Sequence, residues 1–344
     1  MSASKEGFTP AALGGRGWAD VSPSRRCPVC GGSSWCQIAR DTSETVLCKR
    51  VGNGRRPRSN RDGVEFYTHH LGARRWTAPA EAPAPATTRA SADDCDHAYR
   101  VVLATLRLDD DDRAGLRARG LDDAAIAANG YRTLPLEGRA RVARAVVQAV
   151  GEHVARAVPG VAWKTGDDER GWWTLAGAPG LLIPERDLDG RIAALKVRRR
   201  DVEPGQQRYL YLSSASRGGA SAASAVHVPV AAQSMRGVPL VVTEGPLKAD
   251  VSTHLLGSRP VVSLPGVGSW ALALDVVEAW GARDVAVAFD ADARTNRHVQ
   301  RALVNLVDGL RAAGCRVEVW RWEGPAKGLD DHLHAQLRDE EATE

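Results

Sequence analysis

The sequence predicts an α/β fold: a parallel sheet covered on both faces by helices in the C-terminal third, behind a mixed α+β subdomain and a small cysteine-rich module. Three observations carry this expectation. From residue 238 onward, β-branched strand-like runs alternate with helical ones, the pattern of strand–helix–strand crossovers. Between 94 and 235, helical periodicity gives way at 181 to short strands. Ahead of both, four of the six cysteines crowd between 27 and 48.

The chain has 344 residues, 43% hydrophobic and 26% charged, as expected of a soluble globular protein with two or three domains. No apolar run approaches the ~20 residues that span a bilayer. The opening "MSASKEGFTPAALGGRGWAD" has no basic-then-apolar signal pattern, so the expected location is cytoplasmic, without membrane contact. Six cysteines are too few for a disulfide scaffold of this length, and in a reducing compartment their crowding points to metal. Residues 1–76 hold thirteen Lys or Arg and six Asp or Glu, a net of +7 in a chain of net +4, which leaves −3 for the rest. A basic module on a mildly acidic body suits a polyanionic partner; a merely charged surface is the plainer reading.

The elements follow in order. In the module (1–76), Cys27 and Cys30 stand in a C-x-x-C with glycines behind it, and Cys36 and Cys48 complete four thiolates able to close a tetrahedral structural Zn²⁺ site. His69 or His70 is an alternative to Cys36 as the fourth ligand. A redox C-x-x-C would need a strand–helix context that is absent here. Cys95 and Cys315 read as buried, unreactive thiols. Trp35 and Trp76 flank the basic run "KRVGNGRRPRSNR"; they suit stacking of single-stranded bases beside phosphates, or equally the module's own core.

"TAPAEAPAPATTRASAD" (77–93) is a semi-extended linker. In the subdomain 94–235, "DHAYRVVLATLRL" and "GRARVARAVVQAVGEHVARAV" carry apolar residues at helical spacing. Between them a short helix starts after Leu121, with Asp122 as its cap and Gly130 as its stop. "LLIPERDLDGRIAALKVRRR" reads as two strands joined by the turn "DLDG", "QRYLYLSS" as a third, and 213–225 as a flexible loop. In the domain 236–344, the strands "PLVVT", "PVVSLP", "DVAVAFD" and "RVEVWRW" alternate with three helices.

In such a sheet the working residues gather at the carboxyl ends of the strands. Glu244, in "VVTEGPLKAD", lies just past one strand, and Asp290 and Asp292, in "VAVAFDADA", lie past another. Aspartates at i and i+2 on an extended segment point the same way. Three converging carboxylates raise one another's pKa unless a cation sits among them, and all-oxygen ligands suit Mg²⁺ or Mn²⁺. The plainer reading is that each acid caps the helix that follows it.

A glutamate after the first strand, the glycine turn "LPGVGSW" after the next and D-x-D after the third resemble the Toprim signature of topoisomerases and DnaG-type primases. "KGLDDHL" (327–333) is similar to the last Toprim element, and the resemblance, covering roughly 236–335, implies Asp330 as a further metal ligand. The helix after D-x-D begins "ARTNRHVQ", without an added acid. Upstream, "RGLDDAAIAANGYRTLP" and "LLIPERDLDGRIAALKVRRR" look like the primase stretch that precedes Toprim, although "ALKVRRR" stands where primases have "GFGGR". Matched by position, Arg186, Lys196, Arg198, Arg208 and Tyr209 are implied contacts to nucleotide phosphates or template, and Lys248 is counted with them. A basic strand beside an acidic rim suits a substrate carrying phosphates and a bound cation; Arg199 and Arg200 fit a solvated edge-strand run.

The resemblance implies a DNA primase or primase-like nucleotidyltransferase of the kind found in phages and plasmids. Its expected catalytic residues are Glu244, Asp290 and Asp292. It would use Mg²⁺ or Mn²⁺ and a structural Zn²⁺, a single-stranded DNA template and nucleoside triphosphates. A separate replicative helicase is expected, since no "GxxxxGK[ST]" occurs in the chain. The alternatives are a Toprim nuclease acting on DNA or RNA with water as nucleophile, and a non-catalytic zinc-dependent single-strand binder. A topoisomerase would need room for a further domain carrying a nucleophilic tyrosine.

Overall fold

The structure, a computed structural model, describes residues 18–22, 25–32, 36–39, 45–49, 51, 58–59, 65–71, 87–166, 170–200, 202–203, 206–291 and 296–341. It divides into two compact units, Met1–Ala82 and Pro83–Glu344.

Among the described residues, the first unit forms a five-stranded antiparallel sheet. Its strands are β1 (Trp18–Asp20), β2 (Gln37–Ala39), β3 (Thr45–Cys48), β4 (Arg58–Ser59) and β5 (Glu65–His70), in the order β1-β2-β3-β5-β4. A core of Val21, Ile38 and Val46 is shared with Cys27, Cys36 and Cys48. So small a core supplies little burial energy, which is why such modules depend on a metal. Trp35 and Trp76 lie outside the described residues.

In the second unit, α1 (Ala92–Thr105) starts at Ser91, whose hydroxyl accepts from the Asp94 N–H. The helix α2 (Asp110–Arg117) was not expected from the sequence: "DDDRAGLR" is acidic and buries only Asp112 and Leu116. The third helix, α3 (Asp123–Asn129), has the two ends read from the sequence. Asp122 accepts from the Ala125 N–H at one end, and Gly130 adopts φ +77 at the other, where a side chain would be strained. After β6 (Arg132–Leu134), the single helix expected over 138–158 is two, α4 (Arg139–Val150) and α5 (Glu152–Ala157). Gly151 divides them, because its φ of 79° and ψ of 157° leave the helical region. A hairpin of β7 (Val161–Thr165) and β8 (Gly171–Leu175) follows, also unforeseen.

The strands β9 (Gly180–Arg186), β10 (Ile192–Arg199) and β11 (Tyr209–Tyr211) form an antiparallel sheet in the order β11-β10-β9-β6. The apolar run of β9 divides by alternation. Leu182 enters the core with Tyr99 and Val102 of α1 and Val142 and Val146 of α4. Leu181 and Ile183 enter another core, with Leu116 and Ile126.

The last region is the α/β layer expected from the sequence. Its elements are β12 (Leu240–Glu244), α6 (Pro246–Leu256), β13 (Val261–Leu264), α7 (Leu272–Trp280), β14 (Asp284–Val287), α8 (Arg297–Ala312), β15 (Arg316–Val319) and α9 (Leu329–Glu341). All strand pairs are parallel, in the order β13-β12-β14-β15. Leu240 and Val242, Val262 and Leu264, and Val285 and Val287 pack on α7 and α8. The intervening Val241, Val261 and Ala286 pack with Ala249 of α6 and Leu329 of α9. Both faces are covered, so these strands read as continuous apolar runs. Leu247 and Val251 of α6 join the core of Leu181 and Ile183, which fixes the antiparallel sheet against the parallel one. No described helix is long and apolar enough to cross a membrane.

Candidate functional site

The turn after β12 explains the Glu-Gly-Pro sequence. Gly245 has φ +87 and precedes α6, and Pro246 occupies the first helical position, where its missing N–H costs nothing. The chain therefore reverses within one residue of Glu244, at the carboxyl end of the sheet. Since β12 and β14 are paired neighbours, with Val242 opposite Val287, the segment after β14 emerges beside Glu244. The Asp290 N–H donates to Glu244 Oε1 at 3.3 Å. Lys248, in the first turn of α6, donates its ammonium to Asp290 Oδ1.

Asp330 reaches the same rim from the start of α9. Its Oδ2 accepts from Arg119 Nη1 at 2.7 Å, while Oδ1 is buried without a hydrogen-bond partner. Burial, and then the neighbouring Asp331, raise the pKa of this carboxyl; Lys248 and Arg119 act the other way. Gly328 makes room for it: a Cβ there would stand 2.6 Å from Asp330 Oδ1 and 2.9 Å from Lys248 Cε.

These groups line one cavity of about 380 Å³, with Lys196, Arg198, Arg208 and Tyr209 on its wall. The wall follows from strand register. Lys196 and Arg198 share a face of β10 and stand opposite Tyr211 and Tyr209 of β11. Lys196 is 6% exposed; its Nζ bonds Glu185 Oε1 at 2.6 Å and sits 4.4 Å from the centre of the Tyr211 ring. Arg198 Nε is buried with no hydrogen-bond partner. Arg199 instead bonds Gln206 and Gln207, and Arg200 pairs with Asp109 and Asp112.

The structure thus brings Glu244, Asp290, Asp330, Lys248, Lys196, Arg198, Arg208 and Tyr209 to one cavity. Asp292 lies outside the described residues. Arg186 is not among the lining residues. It ends β9, its guanidinium approaches the carbonyls of Asn129 and Gly190 at 3.5 Å, and burial lowers its pKa. Its backbone N–H donates to His227 Nδ1, and His227 Nε2 meets Asp250 Oδ1 at 2.9 Å. The other oxygen of Asp250 accepts from the Tyr131 hydroxyl. Sequence reasoning missed Arg119 and Glu185, whose partners are set only by the fold. Lys327 and Asp331 also line the cavity; both stand in "KGLDDHL", where the motif itself could have flagged them.

The cavity's acids offer only oxygen, the donor type for a hard cation, and the bare Oδ1 of Asp330 fits such a ligand. They stand further apart than a closed cage requires: among the described residues, the four cysteines are the one group of three or more candidate ligands mutually within 4.8 Å. An open rim is compatible with Mg²⁺, which keeps several waters and binds through one or two carboxylates plus substrate phosphates.

In the first unit, Sγ of Cys27, Cys30, Cys36 and Cys48 form that tight group. The Cys30–Cys36 and Cys36–Cys48 sulfur separations are 3.7 and 3.9 Å. A tetrahedron with Zn–S bonds of about 2.3 Å has edges of about 3.8 Å. Cys36 is therefore the fourth member. His69 and His70 bond the Val51 carbonyl and Thr45 Oγ1 instead. Burial raises the pKa of the Cys27 and Cys36 thiols. Cys95 and Cys315 are buried, with pKa values raised chiefly by that burial.

A family described as a domain of unknown function, DUF3854, matches residues 231–340. No curated protein matches the chain in sequence. Among solved structures it is similar to the zinc-binding and RNA polymerase domains of the Aquifex aeolicus primase. That match has 15% identity and a TM-score of 0.54, covering 74% of this chain and 60% of that one. It is also similar to the RNA polymerase domain of the Mycobacterium tuberculosis primase DnaG, solved with a double-stranded DNA oligomer bearing a 6-nucleotide overhang. There the identity is 19% and the TM-score 0.51, covering 74% of this chain and 81% of that one. The shared fold is that of primase catalytic cores.

Proposed function

We propose that the protein is a primase-like nucleotidyltransferase of the Toprim type, which joins nucleoside triphosphates on single-stranded DNA. The observation that carries the reading is the cavity itself, in which acidic side chains from β12, the β14 exit and α9 face cations and a tyrosine from β10 and β11. Its volume of about 380 Å³ lies within the usual range for small-molecule sites. The proposed division of labour is a zinc module (1–76), a linker (77–93), a primase-like subdomain (94–235) and a catalytic domain (236–344), with the last two linker residues, Ala92 and Asp93, belonging to α1.

Glu244, Asp290 and Asp330, with Asp292, would hold Mg²⁺ or Mn²⁺. When bound, the ion supplies positive charge against the triphosphate and lowers the pKa of a coordinated hydroxyl. In the reaction the primer 3′-hydroxyl oxygen bonds to the α-phosphorus, the bond to the pyrophosphate breaks, and the hydroxyl proton leaves toward a base. Glu244 would act as that base or as a further ligand. Arg198, Arg208 and Lys327 hold the phosphates, as befits guanidinium and ammonium groups. Tyr209, 38% exposed, offers a face for a base. The cysteine module, carrying Zn²⁺ on Cys27, Cys30, Cys36 and Cys48, would meet the template, and a separate helicase would deliver it.

The test is Glu244→Gln. Primer synthesis on single-stranded DNA with Mg²⁺ or Mn²⁺ should vanish while DNA binding is retained. Synthesis at the wild-type rate would remove Glu244 from the chemistry.

A further inference from the structure

Two cations of the protein already sit on the acid rim. Arg119 holds Oδ2 of Asp330, and the Lys248 ammonium holds Oδ1 of Asp290. The Lys248 side chain is only 18% exposed. Its position is not explained by helix stability, because Lys248 is the third residue of α6, where the helix dipole repels a positive charge. Its position is nevertheless built. Gly328 abuts both the Lys248 chain and Asp330 Oδ1, at 2.9 and 2.6 Å from where its own Cβ would be, so the lysine stem and the buried carboxylate oxygen converge on one gap. Six basic and four acidic side chains line the cavity.

We propose that the Lys248 ammonium is a built-in cation of the rim, standing in for one divalent ion so that the site loads a single Mg²⁺ or Mn²⁺. The inference rests on the metal-dependent reading above. The ion keeps the ligands proposed above, among which Asp330 Oδ1 has no protein partner and Asp290 is shared between the ion and Lys248. Charge that a two-ion site acquires from solution is here fixed to α6, and only the remaining ion depends on metal concentration.

The probe is Mn²⁺, titrated into the zinc-loaded full chain and followed by calorimetry and by electron paramagnetic resonance. The wild type should take up one Mn²⁺ with an isolated-ion spectrum. Lys248→Gln, nearly the same size but neutral, should bind it at least about tenfold more tightly, since a like charge at contact distance has been removed. Lys248→Asp should take up two ions, with the broadened spectrum of a coupled pair. If Lys248→Asp does not fold, the affinity of Lys248→Gln decides alone. Two ions in the wild type would overturn the proposal, as would Lys248 variants that match wild type in number and affinity. Asp290→Asn separates the two layers of argument. If it loses Mn²⁺ while the Lys248 variants bind like wild type, the metal rim stands and the lysine proposal falls. If Asp290→Asn binds Mn²⁺ like the wild type, both fall.

Discussion

The buried pair of Lys196 and Glu185 supports the basic wall of the cavity, and its energetics can be worked from the structure. The two charges lie 2.6 Å apart with side chains 8% and 1% exposed. At an effective dielectric of about 20, their attraction is about 6 kcal/mol, most of it offset by the cost of taking both ions out of water. Removing one partner leaves the other charged, buried and uncompensated, at about 3–5 kcal/mol, or roughly 10 °C in Tm. Glu185→Gln and Lys196→Met should each show that loss in urea or thermal denaturation. The double variant should be more stable than the sum of the singles predicts, by about 2 kcal/mol or more. Primer synthesis adds a second readout. Because Lys196 also faces the cavity, the double variant should regain stability yet remain at least about tenfold slower than wild type, the equivalent of about 1.4 kcal/mol. Additive singles would refute the coupling. Full activity in the double variant would refute a substrate role for Lys196.

Two further outcomes follow from other parts of the molecule. Burial holds the Cys27 and Cys36 thiols protonated above the usual range, so zinc must displace those protons. Affinity is therefore highest at high pH and falls as pH drops, by about tenfold per unit for every thiol proton displaced and so up to about ten-thousandfold per unit for four, as competition with a chromogenic chelator between pH 8 and 6 would record. A pH-independent affinity would contradict the four-thiolate site. Tyr131→Phe removes the hydroxyl that donates to Asp250, a residue 3% exposed whose other oxygen meets His227. The carboxylate oxygen left bare should cost about 1–3 kcal/mol in denaturant unfolding, and a change under 0.5 kcal/mol would show that the network carries no stability.

Much of the fold was legible because local chemistry and tertiary need coincide. Asp122 and Gly130 bound α3 through a side-chain cap and a positive φ, both local events. The strands of the parallel sheet announce themselves as apolar runs because each has two covered faces. Where local signals are weak, the reading failed. The acidic α2 owes its place to Leu116 in a core made by β9 and α6, and the β7–β8 hairpin is too short for periodicity to register. Gly151 was visible, but a glycine inside a helical pattern does not say whether the helix ends there.

The site divides along the same line. Glu244 and Asp290 could be placed together because a parallel sheet sends its carboxyl ends to one rim. The motif around Asp330 pointed to the same place. Arg119 could not be found that way, since 211 residues separate it from Asp330. Glu185 is hidden in an apolar strand, where its role depends on Lys196 lying alongside it in β10. Arg186 shows the reverse. Its residue type suited phosphate, but the end of β9 turns it toward the Asn129 and Gly190 carbonyls.

The most direct measurement incubates the full chain with single-stranded DNA, labelled nucleoside triphosphates and Mg²⁺ or Mn²⁺, beside a metal-free control and Asp290→Asn, and resolves the products on a gel. New labelled oligonucleotides that need the divalent ion and are lost in the variant are the expected result. Shortening of the DNA without incorporation, or metal-independent binding alone with no new strand, would contradict it.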